Sequence, residues 1–567
     1  MLLGDAKPFS GEKISLKIAV YGFMFIGVAT LIALMACVPP VSRDALTHHL
    51  YIPKLYLQQG RIYEIPGITF SYYPMNLDLL YLVPLYFKND ILPKFIHFAF
   101  ALLTVLMIFR YLKRRINTEY ALLGGLFFLS IPVIVCQSTI VYVDLGLVCF
   151  LFASLLYLFD WIESGFKTKY LVISAVFCGF ALGTKYNGLI GFFLLTMFVT
   201  FIYERYHAGE PFHSAKTVGL SALYLMIALV VFSPWMIRNT IWTGNPVYPL
   251  YNEIFNPDGT GVGIIADDDG LEDLPHMSPF QIRREVYGES GWEIALIPLR
   301  VFFQGRDDDP RYFDGKANPF LLLLPVFAFF GIRSAPRQVK TEKNLLLGFA
   351  VLFLLFACVQ TDTRIRYFAP VFPPLVILSM FGLRYIQENF LHQKLQSSDF
   401  LKQTTVAMII VVMLGLNAKY MAERFSYVKP MDYLAGKISR DEYIQKFRPE
   451  YAAMQYANRI LNKNDRILGI YIGSRGYYSD IDIAFSLNLL QKLAAQAQSP
   501  EQICKELNKR GITHLLVNFG MFNFWVQKYS QHEKQMLKGF FEEFTTTEFS
   551  KDRNGLLKLA YQTKQEL

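Results

Sequence analysis

The chain has 567 residues, 53% of them hydrophobic and only 18% charged, with a mean hydropathy of +0.29. Soluble domains carry about 25% charged residues, so this composition excludes an ordinary water-soluble enzyme and points to a membrane protein. The net charge of +9 does not point to nucleic acid, because the basic residues are strung between apolar segments and form no stripe.

Lys7, Lys13 and Lys17 precede an apolar run at 18–38. The run is long enough to span and no small-residue cleavage site follows it, so it reads as a retained first helix and not a removed signal peptide. Further runs able to cross about 30 Å of hydrocarbon lie at 95–112, 119–137, 142–162, 168–183, 187–203, 217–236, 318–333, 343–360, 367–386 and 404–420. The expectation is about eleven membrane helices. The run 72–87 contains Pro74, Asp78 and Pro84 and reads as an outer juxtamembrane or re-entrant helix. Left out of the count, it lets Lys113-Arg114-Arg115, Lys167, Lys169, Arg205, Lys216, Arg333, Arg337, Lys340, Lys343, Arg384, Lys394 and Lys402 all fall on the N-terminal, cytoplasmic side, as the positive-inside rule asks.

The opposite side then holds the loop 39–94, Gln137 to Asp144, Gly183 to Asn187, a long loop at 237–317 and Thr361 to Tyr367. The long loop has fourteen acids against seven Arg or Lys. Asp267-Asp268-Asp269 and Asp307-Asp308-Asp309 lack the ligand spacing of a calcium loop and read as solvated acidic stretches. From 421 onward the chain turns polar, with amphipathic helix patterns near 447–462 and 500–510 alternating with strand-like runs at 466–472 and 513–518. Residues 1–420 thus form a mainly α, polytopic membrane part, and 421–567 an outer soluble α/β domain. Fifty Phe and 34 Tyr suit lipid-facing surfaces and interfacial belts. The six cysteines lie mostly inside apolar runs, without metal or disulfide spacing.

The residues able to do chemistry gather on the outer side. Asp44 stands where the first helix leaves the bilayer. It is either a functional acid, a general base or cation donor, or an interfacial acid capping a helix. His48 is its i+4 neighbour, and at most one of His48 and His49 is expected to share its cavity. Asp144 opens a helix on the same side, where the helix dipole also favours an acid. Lys185 lies in Gly183-Thr184-Lys185-Tyr186-Asn187-Gly188, whose glycines would leave backbone N–H groups free for an anion; otherwise it snorkels to water. Arg364, Arg366 and Tyr367 open another helix, as phosphate-binding groups or interfacial anchors. Lys54, Tyr73, Tyr186, Arg238, Asn245 and Tyr248 complete the candidate substrate-binding set. There is no glycine-rich nucleotide loop, and a lipid-phosphate-linked donor would fit that absence.

In this order the motifs resemble a known group. Arg43-Asp44-Ala45 through Pro53-Lys54, Tyr72-Tyr73-Pro74, Tyr142-Val143-Asp144, Leu182-Gly183-Thr184-Lys185-Tyr186, Pro234-Trp235-Met236-Ile237-Arg238-Asn239, Trp242 through Pro249, and Arg366-Tyr367-Phe368-Ala369-Pro370 resemble the multi-spanning GT-C glycosyltransferases. The likeness is to the bacterial branch akin to protein mannosyltransferases and lipid A aminoarabinose transferases, and it covers roughly 17–420. It implies a polyprenyl-phosphate (or diphosphate) sugar donor, an extracytoplasmic lipid, glycan or protein acceptor, inversion, and an inner-membrane location. By the resemblance Asp44 is the first-loop catalytic acid and Asp144 the second acidic position, while Lys185, Arg366 and Arg364 hold the donor phosphate. Many relatives carry Asp-Glu in the first loop; here Ala45 follows Asp44, which leaves metal dependence open. No cofactor is assigned; a divalent cation, magnesium or manganese, would have Asp44, Asp144 and His48 as donors. The rival reading is a transporter or flippase of lipid-linked sugars, which would place ionisable residues near the midplane. A third is a membrane-anchored assembly or binding protein.

Overall fold

The structure is a computed structural model that describes residues 15–209, 213–257, 278–330, 332, 336–360, 363–390, 399–486 and 488–560. Lys7, Lys13, Asp267-Asp268-Asp269, Arg333, Thr361, Asp362 and Lys394 lie outside the described residues.

The membrane part begins with α1 (Leu16–Ala36), α2 (Tyr51–Gln59), α3 (Asn76–Tyr86), α4 (Leu92–Arg115), α5 (Thr118–Ser130) and α6 (Pro132–Ser138). It continues with α7 (Asp144–Glu163), α8 (Thr168–Leu182), α9 (Gly188–His207), α10 (His213–Thr243), α11 (Phe320–Phe327), α12 (Arg337–Gln360), α13 (Phe372–Tyr385) and α14 (Asp399–Val428). All eleven apolar runs form helix, but among the described residues only eight spans are long and apolar enough to cross alone, or nine if α5 and α6 count as one. The shortfall has local causes. Pro132 forbids the helical conformation at Ile131, which adopts φ −54°, ψ 130°, and the α5–α6 pair bends by 68°. Helix α8 has 15 residues, which at 1.5 Å each cannot cross about 30 Å. Helix α11 has eight residues with Pro325 inside. The segment 72–87 forms α3, eleven residues long. Leu80, Val83 and Tyr86 are exposed along it while Leu77, Asp78 and Tyr81 are buried, as an interfacial helix requires.

Helix α7 is the axis of the bundle, with 94% of its apolar window buried. In lipid, helices are drawn together by close packing and buried hydrogen bonds more than by hydrophobicity. Ser154 on α7 hydrogen-bonds Ser174 on α8 (3.0 Å) and Tyr224 on α10 (2.8 Å). Gly382 on α13 lies so close to α11 that a Cβ there would run into the Leu324 carbonyl. On the cytoplasmic side of the predicted topology, fully buried Glu342 accepts from Tyr111 (2.8 Å) and Arg115. Asp307, expected in a solvated loop, is instead drawn in against α14, accepting from Tyr420 (2.5 Å) with Arg424 at 3.7 Å.

Residues 466–559 build a five-stranded sheet in the order β2-β1-β3-β5-β4, with β1 (Arg466–Ile470), β2 (Asp482–Phe485), β3 (His514–Asn518), β4 (Thr545–Lys551) and β5 (Asn554–Leu559). Strands β1, β2 and β3 are parallel, with β5 and β4 added antiparallel. The strand-like runs are β1 and β3. The helix patterns are α15 (Tyr451–Ile460) and α17 (Pro500–Lys509), with α16 (Leu489–Gln496) between them. This domain grips the first outer loop. Tyr478 donates to the Pro40 carbonyl (2.8 Å), Arg448 to Val41 (2.6 Å), and the Tyr477 amide to Leu46 (3.2 Å).

Gly382→Ala should cost about 1–3 kcal/mol by overpacking the α11–α13 contact. Thermal melting in detergent checks this, with Gly415→Ala on α14, where a Cβ meets open space, as the neutral control.

Candidate active site

The site is a cavity of about 1380 Å³ at the outer ends of α8, α9 and α13. Its charged lining is Arg43, Lys185, Arg364 and Arg366 against Asp44 and Asp78, an excess of cations. Away from them the wall is hydrocarbon, from Phe192, Phe193 and Met197 on α9, Leu225 on α10 and Phe356 on α12.

Two ion pairs organise the charged end. Arg366 Nη1 donates to Asp44 Oδ2 at 2.6 Å. Lys185 Nζ donates to Asp144 Oδ1 at 2.7 Å. The Tyr367 ring lies between them, 4.5 Å from Lys185 Nζ and 5.0 Å from Arg366 Cζ, so both cations also rest on an aromatic face. Burial would raise the Asp44 carboxyl, but the charge of Arg366, then those of His48 and His49, and the Arg366 hydrogen bond outweigh it and hold Asp44 well below the usual carboxylate range.

The loop bearing Asp44 enters a π-turn, Ala45–His49, closed by the Leu50 amide on the Ala45 carbonyl (2.9 Å). The wider turn brings both His48 and His49 to the cavity, where one was expected. His48 shares a hydrogen bond with Thr47 Oγ1 (2.9 Å) and stacks on Phe70 (4.2 Å). His49 pairs with Asp78 of α3 at 2.7 Å. Burial first, then the charges of His49, Arg366 and Lys185, push His48 well below the ordinary histidine value against the pull of Asp44.

The turn 183–188 differs from expectation in its backbone. The amides of Gly183, Thr184, Lys185 and Gly188 donate to Gly179, Ala181, Ala181 and Lys185 carbonyls, so they form no anion nest. The glycines serve close approach instead: a Cβ at Gly183 would strike Asn76, and one at Gly188 the Ala181 carbonyl.

Asp44, His48, Tyr73, Lys185, Tyr186, Arg364, Arg366 and Tyr367 line the cavity together. Other expected members do not. Asp144 is 1% exposed and sits behind Lys185, with Oδ2 lacking a hydrogen-bond partner; it positions Lys185 and does not face the cavity. Lys54 turns to the C-terminal domain, donating to the Tyr477 and Ser479 carbonyls and to Asp480. Arg238 holds the Tyr72 and Tyr73 carbonyls (2.6 and 3.1 Å). Asn245 is buried and donates to Leu250, and the Tyr248 carbonyl accepts from Tyr186 (2.9 Å). These four are spent on contacts within the chain and do not line the cavity. Sequence reasoning left out His49, Asp78 and Asn187. The acid inside an otherwise apolar outer helix was the available signal for Asp78.

Among the described residues no three His, Cys, Asp or Glu side chains converge as a metal site.

Residues 88–237 match the family described as dolichyl-phosphate-mannose-protein mannosyltransferase. No curated protein matches the chain by sequence. Among solved structures, the fold is similar to ArnT from Cupriavidus metallidurans in the apo state (15% identity, 95% of this chain and 98% of that one, TM-score 0.55). It is also similar to ArnT bound to undecaprenyl phosphate (14%, 95% and 97%, 0.53). A third likeness is to the oligosaccharyltransferase AglB from Archaeoglobus fulgidus in complex with an inhibitory peptide and a dolichol-phosphate (10%, 97% and 75%, 0.53).

Because folded His48 favours its neutral form, the unfolded chain binds the extra proton below about pH 6.5, and stability falls as pH drops through that range. His48→Gln should therefore show a smaller loss of Tm between about pH 7 and about pH 5 than the wild type, by differential scanning fluorimetry; an equal loss would assign the acid sensitivity elsewhere.

Residues 88–237 thus carry the mannosyltransferase pattern, and the chain as a whole shares the fold of ArnT and AglB, with eight or nine spans among the described residues long and apolar enough to cross a membrane.

Proposed function

We propose that the enzyme transfers a sugar from a polyprenyl-phosphate (or diphosphate) donor to an extracytoplasmic acceptor, with the cavity facing outward from a bacterial inner membrane. One observation carries the reading: a charged end with more cations than carboxylates, built around the mostly buried Asp44–Arg366 pair, opens directly onto a hydrocarbon wall within one cavity. An anionic head group with a long apolar tail matches that division. The undecaprenyl phosphate of the ArnT structure and the dolichol-phosphate of the AglB structure support the same ligand class here, and the distribution of Lys and Arg supports the orientation.

In this reading Arg366 and Lys185, with Arg364, take the donor phosphate. The phosphate competes with Asp44 for the Arg366 guanidinium, whose planar fork suits it. Losing that cation returns proton affinity to Asp44, which is too weak a base while Arg366 holds it. Base and donor site are thereby coupled. The acceptor O–H (or N–H) gives its proton to Asp44 Oδ2 as its heteroatom bonds the anomeric carbon. The bond from that carbon to the phosphate oxygen breaks on the opposite face, inverting the centre. The electron pair leaves with polyprenyl phosphate, whose charge Lys185 and Arg366 stabilise. Asp144 keeps the Lys185 ammonium aimed at the phosphate.

The test is release of polyprenyl phosphate from a panel of polyprenyl-phosphate sugars, with an envelope lipid and glycan extract as acceptor. Asp44→Asn should lower turnover by about 10²–10⁴-fold while binding undecaprenyl phosphate at least as tightly as wild type, because Arg366 has lost its competitor. Near-normal turnover would remove the base role. Lys185→Ala should weaken undecaprenyl phosphate binding by about 10–100-fold; unchanged affinity in a lipid-binding titration would remove the phosphate contact.

A further inference from the structure

We propose that the C-terminal domain supplies the acceptor wall of the cavity. Ser474 and Phe485, with Thr69 and Phe70 of the first outer loop, form a subsite for a neutral sugar unit of the acceptor. This rests on the transfer reading above and names the acceptor chemistry that reading leaves open.

Ser474 and Phe485 are the two residues of the C-terminal domain that line the cavity among the described residues. Their place in the sheet is telling. Phe485 is the last residue of β2, paired with Gly469 of β1, and Ser474 lies in the turn that follows β1. In open α/β sheets the carboxyl ends of parallel strands are where ligands bind. Here those ends point at the membrane cavity and not at bulk solvent.

The turn is also held in an uncommon backbone state. Tyr471, Gly473 and Ser474 have φ of 55°, 69° and 52°. Positive φ at non-glycine residues persists where the surroundings over-determine it, as at ligand sites. The surroundings are those of the base. The Tyr477 amide bonds Leu46, Lys54 bonds the Tyr477 and Ser479 carbonyls at 2.9 and 2.7 Å, and Gly476 lies against the Tyr51 ring, where a Cβ would not fit. The acceptor wall is therefore fixed to the loop that carries Asp44. Phe70 continues it, stacked on His48 four residues beyond Asp44.

The chemistry of this wall sets the ligand class. Gly67, Ile68, Thr69, Phe70, Ser474 and Phe485 carry no charge. Aromatic faces beside hydroxyls and backbone polar groups suit a sugar ring, which offers a C–H face to one and hydroxyls to the other. These six positions themselves offer no counter-charge to a phosphorylated group or a charged peptide.

The experiment uses the full chain in lipid nanodiscs. Its binding is measured to immobilised neutral oligosaccharides, to phosphorylated oligosaccharides and to a serine- and threonine-containing peptide. Undecaprenyl phosphate is titrated in parallel. The expected result is capture of neutral oligosaccharides by wild type, weakened about tenfold in Phe485→Ala and about threefold in Ser474→Ala, with undecaprenyl phosphate affinity unchanged in both variants. Failure of wild type to bind neutral oligosaccharides, preference for the peptide or the phosphorylated probes, or equal binding by both variants would overturn the proposal. Failure to bind undecaprenyl phosphate strikes instead at the donor reading, and leaves the acceptor wall to be decided by the oligosaccharide arm.

Discussion

The Asp44–Arg366 ion pair is the constraint on which the site depends. It joins residues 322 positions apart, fastening the loop after the first helix to the start of a late one, at the edge of the bilayer. A carboxylate removed from water is tolerable only when a cation answers it, and deleting one member of such a pair leaves the other uncompensated at a cost of roughly 3–5 kcal/mol. Lys185 and Asp144 repeat the arrangement on the other side of Tyr367. The resting site is thus nearly neutral at its centre while keeping cations that an incoming anion can claim. In the proposed function a phosphate would exchange one partner for another and need not create a charge site from nothing.

That arrangement asks for chain ends at membrane depth, and the bundle supplies them by falling short. Helix α8 stops after 15 residues, which lowers the turn carrying Lys185. Pro132 breaks α5 from α6, and the π-turn at Ala45–His49 widens the loop beside Asp44. Each irregular stretch is buried in protein or lines the cavity, the only places where non-helical backbone is tolerated at such depth. The C-terminal domain then closes over the first loop, so the membrane and soluble parts meet at the chemistry.

The broad plan was legible in the chain. Long apolar runs and the shift in composition after 421 are local properties, and every apolar run contains helix among the described residues. The number of full spans was less legible. The run 168–183 is counted as a span although its helix, which fills nearly all of it, has only 15 residues, and hydropathy cannot see that α11 within 318–333 is only eight residues long. Asp44, Lys185 and Arg366 stood out because charge is conspicuous amid hydrocarbon. Asp78 was visible as an acid in the segment 72–87 but was not joined to the site, since its partner His49 is 29 residues away. Lys54, Arg238 and Asn245 have the chemistry of ligand-binding groups, yet each is spent on carbonyls of the chain itself.

By itself the sequence determined a polytopic helical protein with an α/β tail, because hydrophobicity and period act over neighbouring residues. Only the tertiary structure decided which carboxylate each cation neutralises, that Asp144 stands behind Lys185 and not beside Asp44, and that the carboxyl edge of the tail's sheet reaches the cavity. Those outcomes depend on groups tens to hundreds of residues apart competing for the same few partners where water cannot stand in for them.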